Sequence, residues 1–211
     1  RGMGTLVGSI NDLEPRTITI IGAGVAGTEA IKKAIDNRAK VKIIDMSVEK
    51  LNYLKDKFGD KNIDYIISSE SSIEDAIKES DMVIGAVYVI GKQAPKVIKR
   101  SMLKLMKPGT VMVDISIDQG GCFESSKPTT HDNPTYDEDG IIHYCVTNMP
   151  GAVPLTATES LNKATLPYIL ELANKGIETA LKENPHLANG LNIQNGEIIH
   201  ESVREALINT E

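Results

Sequence analysis

Cysteine is scarce: Cys122 and Cys145 are the only two in 211 residues. They cannot build a disulfide framework and lack the paired spacing of a metal site, so a reducing compartment, the cytoplasm, is expected. Clusters of one charge sign are lacking as well. The formal charge of -6 and the mixing of Lys and Arg with Asp and Glu leave no footprint for a phosphate backbone, which argues against a nucleic-acid partner. Long apolar runs are also missing. Thr17 to Ile21 and Met82 to Val87 fall far short of the roughly 20 residues that cross a bilayer, so neither a signal peptide nor a membrane partner is expected. The chain opens on Arg1 rather than on methionine, as expected if residues ahead of it were removed, cleaved or encoded separately.

What is present is the composition of a folded chain, 41% hydrophobic and 25% charged, long enough for one domain and a substantial appendage. Strand and helix patterns alternate from Thr17 to Ile115. Strands are expected at Thr17 to Ile21, Val41 to Asp45, Ile63 to Ile67, Met82 to Val87 and Val111 to Ile115. Helices are expected from Val25 to Asn37, after a cap at Ser47, from a capping box at Ser71-Ser72-Ile73-Glu74, and from Arg100 to Met106. This order predicts an α/β fold, a doubly wound parallel sheet.

Ser116 to Gly140, rich in Gly, Pro, Asp and Thr, reads as one long loop, and His143 to Thr147 as a further strand. A long amphipathic helix is expected from Thr156 to Leu181, broken or kinked at Pro167. A hairpin at Asn195-Gly196 and a helix near Glu201 to Leu207 close the chain. The expected organisation is a connector over residues 1–15, a sheet domain over 16–152, and a C-terminal helical appendage over 153–211.

Gly22-Ala23-Gly24-Val25-Ala26-Gly27 matches G-x-G-x-x-G, a pattern too frequent to carry weight alone. Its place between a strand and a helix gives each glycine a task. Gly22 can make the tight turn, Gly24 can let a pyrophosphate approach the amides of the helix N-terminus, and Gly27 can bring helix and sheet together. Asp45 ends the second strand at the distance of about 20 residues where this fold places an acid on the adenosine ribose. A carboxylate there repels a 2′-phosphate and predicts NAD over NADP. The competing reading is the glycine-rich turn of another α/β fold, with Asp45 a solvated strand end.

Ligands of open α/β sheets bind beyond the carboxyl ends of the strands, which directs attention to Val87, Asp118 and Asn148. Asp118 precedes Gly120-Gly121 in a polar loop. A carboxylate there can orient water or steady a cationic imine, and equally it can tie down a turn. Asp114 reads as structural. None of His131, His143, His186 and His200 is given catalytic work, and Cys122 reads as packing or loop rather than nucleophile.

Three runs carry a family resemblance: Val113-Asp114-Ile115-Ser116-Ile117-Asp118-Gln119-Gly120-Gly121-Cys122, Lys127-Pro128-Thr129-Thr130-His131-Asp132, and Tyr144-Cys145-Val146-Thr147-Asn148-Met149-Pro150-Gly151-Ala152-Val153-Pro154. With Ile84-Gly85-Ala86-Val87, Ala94-Pro95-Lys96 and Asn162-Lys163-Ala164-Thr165-Leu166-Pro167-Tyr168, they make nearly the whole chain similar to bacterial alanine dehydrogenase. The resemblance implies a Rossmann domain and reversible, NAD-dependent oxidative deamination of L-alanine to pyruvate and ammonia in an oligomer, usually a hexamer. It implies that Gly22, Gly24, Val25, Ala26 and Gly27 meet the dinucleotide, that Asp45 and Lys50 hold the ribose, and that Ser68 lies near the adenine. It further implies that Val87 approaches the dinucleotide, that Val146, Asn148 and Met149 lie near the nicotinamide, and that Asp118 is the catalytic aspartate.

The family's substrate domain, which supplies the lysine and histidine that bind and activate the amino acid, has no counterpart here. The C-terminal helices would fold back onto it, leaving their apolar face exposed or covered by oligomer contacts. Ile90-Gly91-Lys92 replaces an expected proline-containing loop. The isolated chain is therefore expected to bind NAD without turning over alanine, unless another polypeptide supplies the missing half. Two alternatives stand beside this reading: the NAD-binding domain of a proton-translocating transhydrogenase alpha subunit, and a non-catalytic NAD-binding module.

Overall fold

The structure, a computed structural model, describes residues 2–11, 13–90 and 93–208. Arg1 and Asp12 of the expected connector, and Gly91 and Lys92 of the divergent loop, lie outside the described residues. Contacts divide the chain into two units, the first taking in the described residues up to Val89 and from Gln93 to Thr147, the second Ile90 and the residues from Asn148 onward.

The first unit is built on seven strands: β1 (Thr17–Ile21), β2 (Lys40–Asp45), β3 (Ile63–Ile67), β4 (Met82–Gly85), β5 (Val111–Asp114), β6 (Thr135–Glu138) and β7 (Ile141–Tyr144). Their order is β3-β2-β1-β4-β5-β7-β6, with every pairing parallel except β6 with β7. The β3-β2-β1-β4-β5 part is the doubly wound Rossmann order, in which the chain reverses direction across the sheet between β1 and β4. Helices α1 (Val25–Asp36), α2 (Val48–Phe58) and α3 (Glu70–Glu79) supply the crossovers on the β1 side.

Both faces of the sheet are buried, which is why its central strands read as unbroken apolar runs. Ile18 and Ile20 of β1 and Val41 and Ile43 of β2 pack with Ile31 and Ala34 of α1 and Leu51 and Leu54 of α2. One residue on, Ile21 and Ile44 enter a second core with Ile73, Ala76 and Ile77 of α3 and with Phe123 and Ile141. A fully buried isoleucine such as Ile20, Ile31 or Ile43 contributes about 2 kcal/mol. Ser47 caps α2 as expected, its hydroxyl accepting the Lys50 amide. The capping box of α3 sits two residues earlier than expected: Ser69 accepts the Ser72 amide and the Ser72 hydroxyl accepts the Ser69 amide, so a serine takes the reciprocating role usually given to Glu or Gln.

Among the described residues, the connections from β4 to β7 contain no α-helix. Arg100–Leu105 is a 3₁₀ turn, and β5 passes at Ile115 into a second one, Ile115–Gln119. The stretch expected to be a single loop holds β6 at its end. β6 and β7 form a hairpin turned by Asp139 and Gly140, both with positive φ, so the last strand lies at Ile141–Tyr144 instead of His143 to Thr147.

The second unit contains α4 (Pro154–Lys175), α5 (Ile177–Glu183), the single turn α6 (Pro185–Ala188), a two-residue hairpin of β8 (Ile193–Gln194) with β9 (Glu197–Ile198), and α7 (Glu201–Ile208). Pro167 sits inside α4 without ending it. The break falls at Gly176, whose φ of 75° takes the chain out of the helix as its N–H reaches the Leu172 carbonyl. No side chain of α4 is buried, and Leu155, Leu161 and Ile169 are among its exposed apolar residues.

Candidate functional site

The glycine loop leaves β1 at its carboxyl end and enters α1 without a side-chain cap. Gly22 has a φ of 109°, and a β-carbon there would stand 2.4 Å from the Ala86 carbonyl oxygen. Both the conformation and the close approach of the segment leaving β4 require glycine. At Gly27 a β-carbon would fall 1.8 Å from the Gly22 carbonyl oxygen, so the third glycine of the motif seats α1 on the loop. Gly24 differs. Its φ is an ordinary -77°, and a β-carbon there would meet nothing within 4 Å. The space above Gly24 is open, next to the first amides of a 12-residue helix. Such amides carry partial positive charge and favour an anion.

Asp45 meets this loop directly. Its Oδ2 accepts the Ala23 amide at 2.6 Å and its Oδ1 the Ser47 amide at 2.8 Å. The Asp45 carbonyl accepts the Ser68 amide at the end of β3. Lys50 lies exposed in the first turn of α2. On the other side of the loop, the Ala86 amide bonds to the Ile21 carbonyl, and the Val87 carbonyl accepts the Ser116 hydroxyl at 2.7 Å. Ser116 belongs to the 3₁₀ turn that carries Asp118, an exposed residue.

The residues expected at the carboxyl ends of five neighbouring strands are thus joined in sheet order by hydrogen bonds and close contacts: Ser68 to Asp45, Asp45 to Ala23, Gly22 to Ala86, and Val87 to Ser116 beside Asp118. Val146 is buried in a short parallel bridge with Thr129. Asn148 and Met149 belong to the second unit, where Asn148 adopts a left-handed φ of 52° ahead of a 3₁₀ turn.

Several features of this edge escaped sequence reasoning. Met46, Ile67 and Tyr88 are exposed apolar side chains next to Asp45, Ser68 and Val87, as is Val25, already expected at the dinucleotide, next to Gly24. The available signal was an apolar residue where a strand end or turn would ordinarily be polar. Ser116, which ties β4's exit to the Asp118 turn, carries no signal in the sequence.

Asp114 is fully buried and accepts from the Ser116 amide at 3.0 Å, the Cys122 amide at 2.8 Å and the Ser126 hydroxyl, in keeping with the structural reading. Burial, reinforced by the Asp114 carboxylate, pushes the Cys122 thiol far above its ordinary range, so it is no thiolate nucleophile. His143 is buried too, its Nε2 beside the Ser125 hydroxyl at 2.8 Å and its ring stacked on Tyr136. Among the described residues, no helix is long and apolar enough to cross a membrane.

Comparison with known proteins agrees with this geometry. The profile of the family described as "Alanine dehydrogenase/PNT, C-terminal domain" matches residues 1–201. An alanine dehydrogenase of Halomonas elongata is 47% identical over 205 residues, which cover 97% of this chain and 55% of that protein. A solved L-alanine dehydrogenase structure superposes with a TM-score of 0.88 at 44% identity, covering 100% of this chain and 58% of its own. A transhydrogenase structure from Sinorhizobium meliloti, at 21% identity, a TM-score of 0.74, and coverage of 95% of this chain and 55% of its own, shares the fold. The chain spans about half the length of the curated relatives it matches.

Proposed function

The chain belongs to the alanine dehydrogenase/PNT C-terminal domain family, and on that premise we propose that it is the NAD-binding half of an alanine dehydrogenase. The observation that carries the reading is the 2.6 Å hydrogen bond from the Ala23 amide to Asp45. It brings the glycine loop and the acid of the neighbouring strand to one place, with open space above Gly24 where a diphosphate fits. The first amides of α1 would hold that diphosphate. Each oxygen of Asp45 accepts one amide and keeps lone pairs for the ribose hydroxyls, while its charge disfavours a 2′-phosphate. Lys50, Ser68 and the exposed Val25, Met46 and Ile67 would complete the adenosine side. Val87, Asp118 and Val146 would serve the nicotinamide side.

NAD supplies a hydride acceptor when bound. Asp118, from its exposed turn, would orient water or steady the cationic imine formed as alanine loses hydride. Hydride transfer demands two atoms held in near-attack geometry, and the resemblance assigns the groups that hold the amino acid to the family's substrate domain. The chain would therefore act in the cytoplasm with a substrate half, as part of a homo-oligomer or joined to a separate polypeptide. Identity of 47% to an alanine dehydrogenase against 21% to the transhydrogenase supports this reading over the transhydrogenase alternative.

Calorimetric titration tests it. NAD is expected to bind more tightly than NADP, and Asp45→Ala to weaken NAD by about 10- to 100-fold, the worth of hydrogen bonds to a charged group. Equal affinity of the unaltered chain for NAD and NADP would remove the role given to Asp45.

A further inference from the structure

Lys96 stands in the Ala94-Pro95-Lys96 run that helps carry the resemblance, but it has been given no role. It lies between β4 and β5, and its ammonium donates to the Gly120 carbonyl at 2.6 Å and to the Gly121 carbonyl at 2.8 Å. These glycines follow Asp118-Gln119 and are both left-handed, with φ of 85° and 76°. The peptide groups on either side are held from the same segment. The Ala94 amide donates to the Gln119 carbonyl at 3.0 Å, and the Val97 amide to the Cys122 carbonyl at 2.8 Å.

Four consecutive carbonyls, from Gln119 to Cys122, are thus taken by residues 94–97. The division of labour has a chemical reason. Pro95 has no N–H to give, and the side chain of Lys96 supplies donors to the two central carbonyls in place of a backbone ladder. An ammonium also suits the exit of a helical turn, where carbonyl dipoles leave partial negative charge. At the entrance of the same turn stands the buried Asp114 carboxylate, which holds the Ser116 and Cys122 amides. The turn carrying Asp118 is therefore fixed at both ends by side chains of opposite charge.

We propose that Lys96 is a positioning residue that, by holding the Gly120 and Gly121 carbonyls, fixes the Asp118 turn as a preformed floor for the nicotinamide half of the dinucleotide. This rests on the dinucleotide site proposed above. The glycine loop and Asp45 serve the diphosphate and adenosine ribose and lie at β1 and β2, so Lys96 governs only what the nicotinamide adds to binding. ADP-ribose, which lacks the nicotinamide, separates the two contributions.

The experiment is calorimetric titration of the whole chain, unaltered and as Lys96→Met and Lys96→Arg, with NADH and with ADP-ribose. The unaltered chain is expected to bind NADH more tightly than ADP-ribose. Lys96→Met should weaken NADH by about fivefold, a typical net hydrogen-bond contribution at a site where water competes for the ammonium. It should leave ADP-ribose within about twofold, the scale of a neutral surface change, which also shows that the variant is folded. Lys96→Arg, which keeps charge and donors, should recover most of the loss. Unchanged NADH affinity in Lys96→Met overturns the proposal, as does an equal loss for both ligands or no advantage of NADH over ADP-ribose in the unaltered chain. Failure of the unaltered chain to bind ADP-ribose overturns the dinucleotide reading itself, and this proposal with it.

Discussion

Adding one methyl group at Gly24 or at Gly27 should separate binding from folding. At Gly27 the new carbon falls 1.8 Å from the Gly22 carbonyl oxygen and 3.6 Å from Ile20 Cγ2. The first obstacle is backbone within the loop that α1 rests on, so relief requires moving the helix by more than an ångström. Overpacking of this kind costs about 3 kcal/mol, which in a chain of this length lowers the melting temperature by about 6–12 °C. At Gly24 the carbon meets nothing within 4 Å and φ is -77°. Alanine is a poorer N-cap than glycine, but it also restricts the unfolded chain, so stability should change by less than about 1 kcal/mol. The methyl nevertheless occupies the approach to the first amides of α1, and losing one charge-assisted contact there, ~1.4 kcal/mol, weakens NAD about tenfold. Thermal unfolding followed by circular dichroism and calorimetric titration with NAD read the two effects independently. Gly24→Ala should melt close to the unaltered chain and bind poorly, and Gly27→Ala should melt early. If Gly24→Ala binds NAD normally, or melts as early as Gly27→Ala, the open space above Gly24 is not where the diphosphate sits.

Two further outcomes are expected. Burial lowers the His143 pKa, with Lys127 and Arg100 adding to it. The unfolded chain therefore takes up this proton first: the contribution is complete above the unfolded value of about 6.5, declines as pH falls from there towards the folded value, and levels off below it. Urea unfolding at several pH values should show that decline in the unaltered chain and a flatter profile in His143→Gln, and parallel profiles would refute the assignment. The purified chain mixed with L-alanine and NAD should form no NADH above the protein-free rate, and absorbance at the reduced-nicotinamide band checks this directly. Measurable turnover would show that the residues present suffice to hold the amino acid.

In the β1–β5 half of the sheet, β1, β2 and β3 were legible because each is a short apolar run followed by a recognisable helix start, as at Gly22 to Gly27 and Ser47, whereas β4 and β5 were legible from their apolar runs alone. Periodicity works where both faces of a strand are covered. It failed at β6, whose Thr135-Tyr136-Asp137-Glu138 is half-exposed at the sheet edge and reads as loop because only one neighbour pairs with it. Of the kink or break expected at Pro167, the break is absent, for a related reason. Proline costs one hydrogen bond and a kink, which a 22-residue helix absorbs, whereas Gly176 offers a left-handed exit that ends it.

The site divides along the same line. The placement of Gly22, Gly24, Gly27 and Asp45 around one loop could be read from sequence because it depends on backbone conformation and on fixed spacing along one βαβ unit. Ser116 and Lys96 could not, because they act across separations of 29 and 24 or 25 residues set by how the strands are ordered in space. Ser116 reaches Val87 only because β4 and β5 are neighbours, and Lys96 reaches Gly120 only because the segment joining those strands returns over the exit of β5. A spacing rule describes one turn and its helix. The half of the site between β4 and β5 is made of contacts between turns, so it becomes readable only once the strand order is known.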